Sequence, residues 1–183
     1  TGTDAILVAA GIEAVSEGDF SSSSNATSLV FKTGASETAT EKVRLQSGGR
    51  LLVGTTSGDS NYKTQITSST FGLLKLESTN TGSDAVYQEF FHNSSSPADN
   101  DELGYIGFRG NNDADQEHTY AYIQALSTDV SDSSEAGSLK FFTAGGSSAA
   151  ANEKLSIAGT GATTITTAGN ETTLTLKSTD ADA

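Results

Sequence analysis

Four short blocks of this chain occur twice, in the same order. Ala10-Gly-Ile-Glu-Ala-Val-Ser16 matches Ala121-Tyr-Ile-Gln-Ala-Leu-Ser127, and Ser28-Leu-Val-Phe-Lys-Thr33 matches Ser138-Leu-Lys-Phe-Phe-Thr143. Glu41-Lys-Val-Arg-Leu45 matches Glu153-Lys-Leu-Ser-Ile157, and Leu74-Lys-Leu-Glu-Ser-Thr79 matches Leu174-Thr-Leu-Lys-Ser-Thr179. The offsets are 111, 110, 112 and 100, so the order is kept while the connecting segments vary in length. A repeat of this kind means one structural unit built more than once, with burial shared between neighbours. The expected organisation is the C-terminal part of one module over 1–57, a linker over 58–70, a complete module over 71–168 and the start of another over 169–183. With no Met in the chain, it is expected to be a segment of something longer.

The repeat also decides between helix and strand. Asp4 to Val15 is Ala-rich and suits a helix on propensity alone. Its partner, Thr119 to Leu126, carries aromatic and β-branched residues in alternation and reads as strand. Equivalent positions share a conformation, so Gly11 to Ser16 is predicted as strand too. Period-two alternation predicts further strands at Leu74 to Thr79, Val86 to His92, Leu103 to Gly110, Leu139 to Thr143 and Lys154 to Ile157. Leu51 to Val53 follows a Ser47-Gly-Gly turn. In Leu103 to Gly110 large side chains fall on both faces, which predicts burial on both sides or at a subunit seam. Phe20 to Asn25 and Ser131 to Gly137 read as loops. The chain is all-β.

Composition sharpens this. Only 34% of residues are apolar, with 13 aromatics and no Trp, Met or Cys among 183 residues. A lone two-sheet sandwich needs a self-sufficient core, and this supply is thin for offsetting the entropy of ordering the chain. Stacked units whose identical chains share a narrow core solve the problem differently.

Several functions are excluded. Without Cys there is no disulfide framework, zinc knuckle or thiol nucleophile. No apolar run approaches the ~20 residues of a membrane span, and no signal-peptide pattern is visible. Ten Lys plus Arg face 23 Asp plus Glu, a net charge of −13, which argues against nucleic acid.

Two acidic loops are the best candidates for chemistry. One holds Asp99, Asp101 and Glu102; in the other, Asp113, Asp115 and Glu117 form a D-x-D-x-E series. Alternating oxygen donors suit Ca²⁺, but the second loop lacks the Gly and the later bidentate Glu of an EF-hand. Polar turn residues joining two strands are the plainer reading. His92 and His118 have no H-x-x-x-H spacing and no Cys partner. Gly48, Gly49, Gly145 and Gly146 lie in turns without a phosphate-loop Lys-Ser/Thr. Asn25, Asn93 and Asn170 match N-x-S/T, a cheap match in a Ser/Thr-rich chain. Tyr120 and Tyr122 offer either a stacking platform for sugars or sheet packing, with packing favoured. No pair of carboxylates is marked for glycan hydrolysis, and no cofactor motif is present. The chain is not expected to be an enzyme.

Ser96 to Asp113, followed by Tyr120-Ala-Tyr-Ile-Gln124, resembles repeat modules in tail-fibre proteins of marine tailed phages, cyanophage- or pelagiphage-like. So do Leu29 to Thr33, Glu41 to Leu45, and Ser47-Gly-Gly-Arg-Leu-Leu-Val-Gly-Thr-Thr56. The resemblance covers nearly the whole chain and carries no catalytic signature. It implies an elongated homotrimeric fibre of short-strand β modules, on the virion, used in attachment to a bacterial surface. Partners would be copies of itself, neighbouring fibre or tail proteins and a host-surface glycan or protein. The alternatives are a module of a prokaryotic extracellular adhesin or surface filament and, further off, a tailspike glycan-degrading enzyme. The second copy departs from the pattern, with Ser156 for Arg44 and Ala162 for Arg50, so those arginines read as dispensable.

Overall fold

The computed structural model describes residues 7–145 and 148–167, and the chain divides into two units, Thr1–Val86 and Tyr87–Ala183. In the first, β1 (Ala10–Ser16), β2 (Thr27–Thr33), β3 (Thr40–Leu45), β4 (Leu51–Val53) and β5 (Thr64–Ile66) form one sheet in chain order. The first three joins are antiparallel; β5 lies parallel to β4. In the second, β6 (Glu102–Asn111), β7 (Glu117–Asp129), β8 (Ala136–Gly145), β9 (Ser148–Ala158) and β10 (Thr163–Ile165) form an antiparallel meander. No helix occurs among the described residues, so none is long and apolar enough to cross a membrane.

The sequence repeat is a repeat of hydrogen bonds. Strands β1 to β4 superpose in register on β7 to β10. Ala14 faces Leu29 as Ala125 faces Leu139, and Leu29 faces Leu45 as Leu139 faces Ile157. Both sheets carry a bulge at the same place, between Phe31 and Lys32 and between Phe141 and Phe142. The extra residue is Lys42 in one unit and Lys154 in the other. Each offers its carbonyl across the sheet, to the Gly54 N–H and the Thr166 N–H, at 2.9 Å in both cases.

Turn chemistry repeats too. The Gln46 N–H donates to the Arg50 carbonyl and the Gly49 N–H to the Gln46 carbonyl, at 2.9 and 2.8 Å. Ala158, Ala162 and Gly161 reproduce both bonds at the same distances. Gly49 (φ 72°) and Gly161 (φ 83°) sit in the left-handed region, where a Cβ would be strained.

Parallel strands need a crossover, and here Gly54 to Lys63 supplies it. The Arg50 Nη1 donates to the Gly58 carbonyl at 3.1 Å, and the Asp59 N–H to Gln65 Oε1 at 3.1 Å. The loop therefore lies on Leu52, leaving room at position 58 for nothing larger than Gly. Leu52 is fully buried beneath it, and so is Val30 two strands away on the same face.

Several sequence expectations need correction. Leu74 to Thr79 and Val86 to His92 alternate as strands do, yet neither is a strand. Alternation prepares a segment for pairing but does not provide the partner. Leu103 to Gly110 does form β6, but within the chain Leu103, Tyr105, Ile106 and Phe108 stay exposed. The 58–70 stretch contains β5, and Leu174 to Thr179, with the rest of 169–183, lies outside the described residues.

Candidate self-association surface

Because side chains alternate along a strand, register determines what shares a face. In the first unit one row runs Ile12, Phe31, Val43, Val53, Ile66 and the next Ala14, Leu29, Leu45, Leu51. In the second unit the rows are Ile106, Ile123, Phe141, Leu155, Ile165 and Gly104, Ala125, Leu139, Ile157. Each sheet thus presents one unbroken apolar face. Among the described residues only Phe90 leans on it: Ile12 is 68% exposed, Ile106 45% and Phe108 54%. Only Val30, Leu52 and Ala39 are buried apolar residues among the described ones, and the first two belong to the opposite face. The larger apolar side chains of both sheets thus lie on a face that the described residues leave open.

A shallow exception occurs at Gly104, where Phe90 leans against the strand; a Cβ there would stand 3.3 Å from the Phe90 Cβ. Phe90 and its neighbours Leu103, Ile106, Ile123 and Leu139 border an apolar groove of about 360 Å³. At roughly 1.5–3 kcal/mol for a fully buried large side chain, closing two such faces outweighs any single polar contact in the molecule.

The opposite faces mix charged side chains with apolar and aromatic ones, and a charge has changed strand between the repeats. In the first unit Arg44, opposite Val30, holds Glu41 in a two-pronged pair at 2.7 Å for both bonds. In the second unit Ser156 replaces Arg44, but its cross-strand partner is Lys140, and Lys140 Nζ lies 3.0 Å from Glu153, the counterpart of Glu41. The cation is relocated, not dispensed with. Lys140 draws the Glu153 carboxyl below its ordinary value, with help from Ser156.

Unit one has a second polar device that sequence reasoning missed. Glu17, just past β1, accepts from the Ser47 N–H, the Ser47 hydroxyl and the Ser28 hydroxyl, each at 2.7 Å. These donors, Ser47 foremost, lower its pKa to about 2. The clasp ties the end of β1 to the β3–β4 turn across 30 residues. The signal was absent from local pattern, because a lone Glu in a loop gains its meaning only from where the turn arrives.

The acidic loops are built as turns. Asn112 Oδ1 accepts from the Ala114 and Gln116 N–H groups, and Asp115 takes φ 57°. Asp113 and Asp115 sit at the tip of this β6–β7 hairpin, while Glu117 pairs with Arg109 at 2.9 Å. In the other loop Asp99 caps the Val130 N–H, Asp101 the Ala98 N–H, and Glu102 accepts from Gln124. The Asn100 N–H donates to the Ser127 carbonyl and the Ser127 N–H to the Asp101 carbonyl, and these two bonds clip the loop to β7. No three His, Asp or Glu side chains converge on a metal position among the described residues. His118 meets Asn112 at 3.2 Å.

Tyr122 is stacked on Tyr105 at 5.0 Å and on Phe142 at 4.1 Å between ring centroids. Both its faces are occupied, so it is a rung of a cross-strand ladder with no surface left for a sugar. Tyr120 lies apart, edge-on to His118.

The fold has counterparts among solved structures. The chain aligns with the carboxy-terminal domain of the bacteriophage T5 L-shaped tail fibre at a TM-score of 0.69 and 13% identity, covering 95% of this chain and 79% of that one. Its fold is similar to that of a phage tail-fibre domain. The same T5 domain with its intramolecular chaperone domain gives the same score and identity, with this chain spanning 54% of the longer one. At 13% identity the likeness is one of fold. No protein-family model matches the sequence, and neither does any curated protein.

Proposed function

We propose that this chain is part of the shaft of a phage tail fibre, a homotrimer whose apolar sheet faces meet around a common axis. The observation that carries the proposal is the uncovered apolar face, present in both units with the same rows of residues. Identical copies are the simplest occupants, since each brings the same deficit and the same remedy. Threefold closure follows the marine tailed-phage modules that the sequence resembles, and the T5 tail-fibre likeness supports a fibre. The role is mechanical and adhesive: the shaft sits on the virion, joins neighbouring fibre or tail proteins and carries attachment to the bacterial surface. With −13 per chain, the outward polar faces repel other fibres.

Sedimentation of the purified chain at micromolar concentration tests the assembly. A species of three times the 18.7 kDa chain mass is expected, and a compact single-chain species overturns the proposal. Antibody raised against the chain should decorate fibres on intact particles; label confined to the capsid would remove the fibre assignment, and label confined to a cell surface the virion assignment.

A further inference from the structure

Residues 68–97 contain one backbone–backbone hydrogen bond, from the Ser94 N–H to the His92 carbonyl. Thirty residues without regular structure are unusual between two sheets, and their exposed backbone donors and acceptors are free to pair with another strand. Within them, Leu74 to Thr79 carries the period-two alternation of a strand. Lys75 Nζ lies 2.6 Å from Glu77, the i,i+2 contact of residues on one face of a strand. Leu74 and Leu76 fall on the other face, 67% and 52% exposed.

A matching vacancy exists at β6. This strand of ten residues ends its sheet, with its outer backbone edge unpaired by any described residue and with Ile106 and Phe108 exposed. Long, apolar open edges are templates for another strand, and native proteins cover them. We infer that Leu73 to Thr79 of one copy adds as a strand to the outer edge of β6 in a second copy. This rests on the fibre assembly proposed above and names how its copies are joined.

The two-faced chemistry fits. With Leu74 and Leu76 aligned on the two apolar rows that begin at Gly104 and at Ile106, Lys75 and Glu77 fall on the opposite face beside Tyr105 and Gly107. A second copy is the occupant because one chain carries both donor and acceptor. The same donor pattern returns in sequence at Leu174 to Thr179, after the second sheet, so each sheet is followed by such a segment.

Hydrogen exchange read by mass spectrometry on the intact chain tests this, alongside sedimentation of the same samples. In the trimer, amides of 73–79 should exchange at least about 100-fold more slowly than an unstructured chain. On dilution to single chains that protection should vanish while β2 keeps its own. A trimer in which 73–79 exchanges at the unstructured rate overturns strand donation and leaves the trimer standing. Protection persisting in single chains also overturns it, and single chains at every concentration defeat both readings. Proline provides an independent check: Lys75→Pro and Leu76→Pro each delete one N–H, on opposite sides of the strand. At least one should weaken assembly about tenfold relative to Lys75→Ala and Leu76→Ala. Equal assembly of the proline and alanine variants overturns the proposal.

Discussion

Glu17 illustrates how much a single exposed carboxylate does when three donors converge on it. Its pKa lies near 2 against an ordinary 4.5, so the clasp contributes fully above pH 4.5 and is lost as pH falls through about 2. Urea denaturation of the chain should therefore show resistance falling across that window, and Glu17→Gln should flatten the fall. An unchanged profile in the variant would show that the clasp is idle. The relocated cation gives a second test at this scale. Lys140→Val should cost ~0.5–1 kcal/mol, since the pair is only partly shielded from solvent. Adding Ser156→Arg, which recreates the arrangement of the first unit, should recover most of it; purely additive effects would dissolve the equivalence.

Among the elements, the short β4–β5 join is the most exacting. Gly54 has φ 74°, and a Cβ there would stand 2.1 Å from the Thr67 carbonyl oxygen. Gly54→Ala should cost about 1–3 kcal/mol through that strain and free β5, seen as rapid amide exchange over Thr64–Ile66. Gly49→Ala, equally left-handed but with open space around it, should cost nearer 1 kcal/mol. Gly49 lay in a recognised turn dipeptide, so its role was legible in the sequence. That of Gly54 was not, because the obstructing carbonyl belongs to a residue thirteen positions on that arrives only after a crossover. Strand legibility divided the same way. Segments with an in-chain neighbour, such as Leu139 to Thr143, formed where alternation placed them. Leu74 to Thr79 alternates as cleanly and did not.

The whole molecule turns its apolar residues outward, and assembly should therefore be sensitive where folding of a single sheet is not. Ile106→Asp places a charge at the β6 end of an uncovered row. It should abolish the proposed trimer in sedimentation while leaving the strand content by circular dichroism intact. Loss of strand content together with assembly would mean that the face also supports the sheet itself. The acidic surface adds a salt dependence: repulsion among like-charged copies weakens as ionic strength rises.

Repetition, alternation and turn residues in the sequence were enough to determine the all-β class, most of the strands and the poverty of the core, because each is set by spacing along one chain. Register decided the rest. Which residues share the apolar rows, where Glu17 found its donors, how Lys140 stands in for Arg44 and why Glu117 meets Arg109 all depend on which residues sit opposite one another. That alignment is fixed by bulges and crossovers between strands distant in sequence, and no local pattern encodes it.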